Sequence, residues 1–373
     1  MTRICFLLLI LTAAVANAEI PAERYGQITL DAMPANGLLV NTFSDRTLVF
    51  DADRQQILGM LSLGIGANAV EVDREQGRIH VAENYFSRHT RGTRTDVITS
   101  YDIATLAPVA EIEIPPKHAS GSPLRHYSGV LKSGDSRLML VMNITPAVSV
   151  SVADLKSGRF LGEISTAGCG MIYPVDGLVF QQLCGDGSLQ QVTLDADGRE
   201  IARTRSAGFF DLEADPVMEK AVRTPGGWLF NTYSGQFYLA SPQQETPGVE
   251  AAFRINETEG TENWRPGGMQ PLAYYEPGDL LLALMHEQDP ALHPDTHKDP
   301  GTEIWIYDVS NRRLKHRLAL IRPASAIQVS QGERPLLYAA SVVDDTVDIY
   351  DLKMTRLLGT LDELGMPTLL QNL

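Results

Sequence analysis

The side chains best suited to chemistry crowd into one stretch, MHEQDPALHPDTHKDPG, where His286, His293 and His297 stand with Glu287, Asp289, Asp295 and Asp299. Imidazole and carboxylate are ligands for zinc and other divalent ions, and a long loop could converge them. The spacing fits no standard zinc framework, and Pro290, Pro294 and Pro300 describe a polar connecting loop equally well. No HExxH pattern and no GxSxG elbow occurs. The glycines of GIGANA, Gly64 and Gly66, lack the strand-helix-strand surroundings of a dinucleotide site. Arg88, Arg91 and Arg94 gather in SRHTRGTRTD, which reads as a solvated turn, a docking contact or an internal ion-pair network. Phe43, Tyr85, Phe86, Trp228, Trp264 and Trp305 are aromatics of the kind that fill sheet cores. The residues alone describe a scaffold without a self-contained active site.

The elements that position these residues are short and repetitive. A strand-Asp-turn-strand phrase recurs, as in LVFDADRQQILGML, ITSYDIATLAPVAEIEI and VDIYDLKMTRLLGTL. The marker residues are Asp51, Asp102, Asp154, Asp195, Asp308 and Asp351, separated by 51, 52, 41, 113 and 43 positions. The gap of 113 is two units long and holds a degenerate copy in which Ser241 replaces the Asp. Each phrase follows an upstream strand such as LLVNTF, GRIHVAENY or PLLYAASVV. Seven units of roughly 40–50 residues, each unable to cover its own faces, predict an all-β fold: a seven-bladed β-propeller with four-stranded antiparallel blades. Helical periodicity is nearly absent; its best candidate, FFDLEADPVMEKA, is broken by Pro216.

Residues 1–18, MTRICFLLLILTAAVANA, have a basic start, a short apolar core and small residues at Ala16 and Ala18, which predicts a secretory leader cleaved after Ala18. Residues 19–373 would then form one propeller domain, exported and soluble. Losing Arg3 moves the formal charge from −15 to −16. That acidity argues against nucleic acid and against anionic membrane as partners. Two cysteines remain, Cys169 and Cys184, flanking a predicted hairpin; in an oxidising compartment they read as a structural disulfide.

Several phrases in order resemble the large (heavy) subunit of the quinoprotein amine dehydrogenases: YFSRHTRGTRTDV, EIEIPPK, AGCGMIYP with LCGDGSL, NWRPGG, LMHEQ with THKDPGTEIWIYD, and SQGERPLLYA. The resemblance covers nearly the whole mature chain and itself implies a seven-bladed propeller. It further implies a periplasmic α2β2 complex whose disulfide-rich small subunit carries tryptophan tryptophylquinone. This chain has three Trp in all and two cysteines after leader removal, so it would not be the quinone-bearing partner. The complex would oxidise a primary amine to aldehyde and ammonia, and a blue copper protein would accept the electrons. On this resemblance Phe43 lines the substrate channel, with burial in a blade core as its alternative, and Cys169 and Cys184 match the family's disulfide. AGCGMIYP, CGDGSL and HKDPGTEIWIYD lie nearer the aromatic amine branch than the methylamine branch. The segment before the first blade, Glu19 to about Met33, is shorter than the family's usual N-terminal arm. The competing readings are a free-standing propeller enzyme, such as a metal-dependent lactonase, and a periplasmic binding scaffold.

Overall fold

Each recurring phrase folds as the outer hairpin of a blade, and the marker Asp explains why. Its carboxylate accepts backbone N–H groups of the turn that follows: from Arg54 to Asp51, Ala104 and Thr105 to Asp102, Lys156 to Asp154, Asp197 and Arg199 to Asp195, Asn311 to Asp308, and Met354 to Asp351, all at 2.8–3.1 Å. A short carboxylate satisfies turn amides that no ladder partner can reach. The computed structural model describes residues 29–30, 33–43, 45–241, 246–288 and 294–373. The leader, residues 1–18, and most of the arm before the first blade lie outside the described residues.

The sheets form seven blades. Blade 1 takes its innermost strand, Pro367–Asn372, from the C-terminus and continues with Gly37–Thr42, Arg46–Asp51 and Gln56–Ser62. Blade 2 runs Ala69–Asp73, Arg78–Phe86, Arg94–Asp102 and Pro108–Ile114. Blades 3, 4, 5 and 7 repeat this order from Ser128, Cys169, Val222 and Ala326. In blade 6 the first position is split, since Trp264–Pro266 and Leu272–Tyr275 both pair with Leu280–Glu287. The unit with Ser241 is blade 5, whose third strand is Gln236–Ser241. FFDLEADPVMEKA forms a turn closed by the Asp211–Asp215 bridge, with Asp211 accepting the Glu213 and Ala214 N–H groups.

Burial follows position in the blade. Gly37–Thr42 is buried along its length, whereas the outer strand Glu200–Arg205 is almost wholly exposed. The middle strands are covered on both faces by neighbouring blades, so they read as continuous apolar runs rather than alternating ones. Seven apolar clusters result, one between each pair of neighbours around the ring. The cluster joining blades 7 and 1 packs Leu38, Phe50 and Leu370 against Tyr338 and Ile349. Burying one such side chain contributes about 1.5–3 kcal/mol. The interface between blades 2 and 3 has a smaller apolar cluster and adds ion pairs: Asp73 with Lys132 at 2.9 Å and Arg137 at 3.3 Å, and Glu75 with Arg137 at 2.7 Å.

The strand directions give the ring two unlike faces. The loops joining second to third strands, and each blade to the next, lie on one face, here the loop face. The turns joining first to second and third to fourth strands lie on the other.

Candidate functional site

Phe43 follows the last residue of a buried strand and so emerges on the loop face, 46% exposed. Burial in the blade core, its alternative, is not what the fold does with it. Its backbone N–H donates to the Met366 carbonyl at 3.2 Å. The turn it enters is fixed by Asp45, which has left-handed φ of 54° and accepts the Gly66 N–H at 2.8 Å. Phe43 borders a hollow of about 150 Å³ with Asn41, Asn68, Ser120, Pro123 and Leu369. Gly66, at φ 97°, lets the 120 segment close in: a Cβ there would stand 2.7 Å from the Ser120 carbonyl. The glycines of GIGANA therefore serve close backbone approach. None of the described residues lining the hollow is ionisable, so it can seat an uncharged group between Phe43 and Leu369 on one hand and the Asn41 and Asn68 amides on the other, but supplies no acid or base of its own.

Other exposed apolar side chains share this face. Met366 is 47% and Val343 84% exposed, and the Met366 N–H donates to Asp345 Oδ1 at 2.6 Å. Three adjoining loops thus present Phe43, Val343 and Met366 together. The loop 87–93 also rises from this face, with Arg88 and Arg91 exposed. Arg94 is different: its guanidinium holds the buried Asp96 carboxylate at 2.6 and 2.7 Å, and His118 Nδ1 meets the same carboxylate at 2.6 Å. These contacts, with desolvation opposing them, hold Asp96 below the usual carboxylate range.

Cys169 and Cys184 begin and end adjacent strands of blade 4, directly cross-strand, and are joined as a disulfide with Cα atoms 3.9 Å apart. Of the histidine stretch, His286 is buried in strand Leu280–Glu287, where burial lowers its pKa and its Nε2 has no hydrogen-bond partner among the described residues. His297 lies in the 3-10 turn Pro294–Lys298, and its carbonyl accepts the Gly268 N–H. His293 and Asp289 lie outside the described residues. Among the described residues no group of three His, Cys, Asp or Glu side chains could hold a metal. No helix of the described residues is long and apolar enough to cross a membrane.

A second cavity, about 620 Å³, follows the propeller axis. Its inner end is lined by Glu71, His126, Glu219 and Lys220, and it reaches the turn face at Arg74, Glu75 and Gln331. Burial pushes the His126 pKa down to about 3, with Arg125 adding to the effect.

The chain matches the family model described as methylamine dehydrogenase heavy chain over residues 39–372. It belongs to the methylamine dehydrogenase heavy chain family. Similar relatives include the methylamine dehydrogenase heavy chain of Paracoccus versutus, 30% identical over 85% of this chain and 73% of that one. Another is that of Methylorubrum extorquens, 26% identical over 95% and 87%. Among solved structures, a functionally unknown protein from Desulfotomaculum acetoxidans superposes with TM-score 0.60 at 11% identity, covering 90% of this chain and 98% of that one. A dihydro-heme d1 dehydrogenase does so with 0.57 at 14%, covering 93% and 77%. At those identities the likeness concerns the fold alone. As a member of the heavy chain family, this protein is the large subunit of an amine dehydrogenase, and the family implies a small-subunit partner.

Phe43, Cys169 and Cys184 all fall within the matched span. The fold brings Phe43 beside Met366 and leaves the disulfide in blade 4. The axial residues Glu71, His126 and Lys220 were invisible as a group in the sequence. They come from three separate connections or first strands, and no spacing rule links them.

Proposed function

We propose that this chain is the non-catalytic large subunit of a periplasmic complex that oxidises primary amines to aldehyde and ammonia. Two copies would join two small subunits as an α2β2 assembly, and a blue copper protein would take the electrons. The observation that carries this reading is the family match across residues 39–372. The disulfide, which belongs to an oxidising compartment, and the leader-like residues 1–18 support export to the periplasm.

The cofactor of this reading is tryptophan tryptophylquinone on the small subunit, which supplies an electrophilic carbonyl and a sink for two electrons when present. This chain's own tryptophans fit that role poorly. Trp305 is fully buried, Trp264 is 8% exposed, and the Arg317 guanidinium lies 4.8 Å from the Trp305 ring centroid and 4.7 Å from that of Trp264. Trp228 donates its indole N–H to the Pro174 carbonyl at 2.8 Å. A quinone built on Trp264 or Trp305 would face packed side chains rather than a substrate, and the hydrogen bond to Pro174 fixes Trp228 in the wall of the axial cavity.

What this chain would contribute is shape. Phe43 would form one wall of the passage by which the amine reaches the quinone, its ring excluding water and orienting the apolar part of the substrate. Phe43, Val343 and Met366 form an apolar rim of the kind a partner chain covers. The phrases nearer the aromatic branch lie in blades 4 and 6, while the Phe43 hollow lies between blades 1 and 2. They therefore do not shape the hollow, and the relatives matched are methylamine dehydrogenase chains.

Coexpression with a small, cysteine-rich partner, followed by steady-state oxidation of methylamine and of 2-phenylethylamine with a dye acceptor, tests the reading. Amine-dependent dye reduction only when both chains are present supports it. Amine oxidation by this chain alone would sink it.

A further inference from the structure

The axial cavity takes no part in the proposed amine oxidation, yet it holds a buried primary amine. Lys220 is 5% exposed and lines the inner end of the cavity. Its Nζ donates to the Gly268 carbonyl at 2.6 Å and the His297 carbonyl at 3.3 Å. Two acceptors match the two N–H bonds of a neutral amine and leave its lone pair unused. Burial lowers the Lys220 pKa to about 8; Glu219 opposes the shift and Lys298 adds to it. The lining also includes Glu71, whose pKa desolvation raises against Arg125 and a hydrogen bond from Ser128. A lysine shifted in this way is unprotonated in a much larger fraction than an exposed one, and the unprotonated amine is a carbon-directed nucleophile.

We propose that the axial cavity is a binding site for a small aldehyde, held as an imine on Lys220. The Nζ lone pair attacks the carbonyl carbon to give a carbinolamine. The carbonyl oxygen then leaves as water with the two amine protons, and a C=N bond replaces C=O without oxidation or reduction. A cavity of about 620 Å³ accommodates a ligand of phenyl size. Entry is from the turn face, past Arg74 and Glu75, and so from the side opposite Phe43. The inference stands apart from the amine-oxidation reading, although a reaction of that class would release such a ligand.

The test supplies the aldehyde directly to the purified full chain, with any partner that accompanies it. Limiting benzaldehyde and cyanoborohydride are added at about pH 8, and benzylated lysines are mapped by peptide mass spectrometry over time. Lys220 is expected to be labelled at least about tenfold faster than exposed lysines such as Lys156 and Lys353, because a larger fraction of it is unprotonated. Its rate should level off above about pH 8, while that of the exposed lysines continues to rise. Lys220→Arg, which keeps a donor for the two carbonyls, should lose this label and leave the others unchanged. Labelling of Lys220 at or below the exposed rate would overturn the proposal, whether or not the complex oxidises amines.

Discussion

The Phe43 N–H donates to the Met366 carbonyl at 3.2 Å, which joins the second strand of blade 1 to the segment that re-enters it from the end of the chain. Ring closure and the exposed aromatic are therefore one piece of structure. The strand Pro367–Asn372 fixes the rim on which Phe43 stands, and the Thr368 hydroxyl adds a bond to the Asn41 carbonyl at 3.2 Å.

Replacing Phe43 with Ala should separate function from stability. The side chain is half-exposed, so its loss should change folding stability by no more than about 0.5 kcal/mol. In the assembled complex, loss of a channel wall should raise the KM for amine by about three- to tenfold with a smaller effect on kcat. Steady-state kinetics and a thermal melt on the same preparation check both parts. A drop of several kcal/mol with unchanged KM would return Phe43 to a packing role.

Gln270 holds the ring from inside. Its Nε2 donates to the Ile327 and Leu370 carbonyls at 2.9 Å, and its Oε1 accepts the Leu370 N–H at 3.0 Å. One amide thus links the entry to blade 6 with the first strands of blades 7 and 1. Gln270→Leu keeps the volume and removes a partner from the Ile327 carbonyl and the Leu370 N–H, while the Leu370 carbonyl keeps Gln328 Nε2 at 3.3 Å; the loss should cost about 2–4 kcal/mol in urea unfolding.

Removing the disulfide by Cys169→Ser with Cys184→Ser should destabilise by about 3 kcal/mol in the chain-entropy model, given a sequence separation of 15. Differential scanning calorimetry should show the loss, and amine oxidation by the assembled complex should survive below the new transition, since blade 4 is remote from Phe43.

Acid should weaken the fold before it reaches the carboxylates. Burial holds the His80 pKa at about 4, with Asp73 opposing and Arg78, Lys132 and Arg137 assisting; His126 sits at about 3. Both lie below the unfolded value of about 6.5. The unfolded chain therefore takes up these protons first. The stability is fully present above about pH 6.5 and is lost progressively as pH falls towards 4 and 3, by a few kcal/mol. Urea midpoints measured from neutral pH downward should show this slope, and His126→Gln should flatten it.

Much of the architecture could be read from the chain because its outer hairpins carry a chemical marker. Each Asp caps its own turn, so Asp51, Asp102 and Asp351 announce strand ends directly. Ser241 breaks that pattern without breaking the blade, because the interblade clusters, not the turn, hold it. The first strands were harder to see. Val222–Thr224 has three residues, and Gln328 and Gln371 face a polar axis, so their apolar signal is weak. Closure by Pro367–Asn372 pairs residues more than three hundred positions apart, which no local pattern encodes. Phe43 could be singled out only through resemblance, since a Phe at a strand end is as often buried as exposed. Lys220 carried no signal at all.

The central claim, that this chain walls in a redox centre carried by a smaller partner, is tested most directly by tagging it at the C-terminus in its native host. The purified material would be separated under denaturing conditions and stained for redox-cycling quinone. A smaller, cysteine-rich chain in equal amount that takes the stain, beside an unstained chain of this length, is the expected result. A stained large chain, or amine oxidation by preparations that contain only this polypeptide, would contradict it.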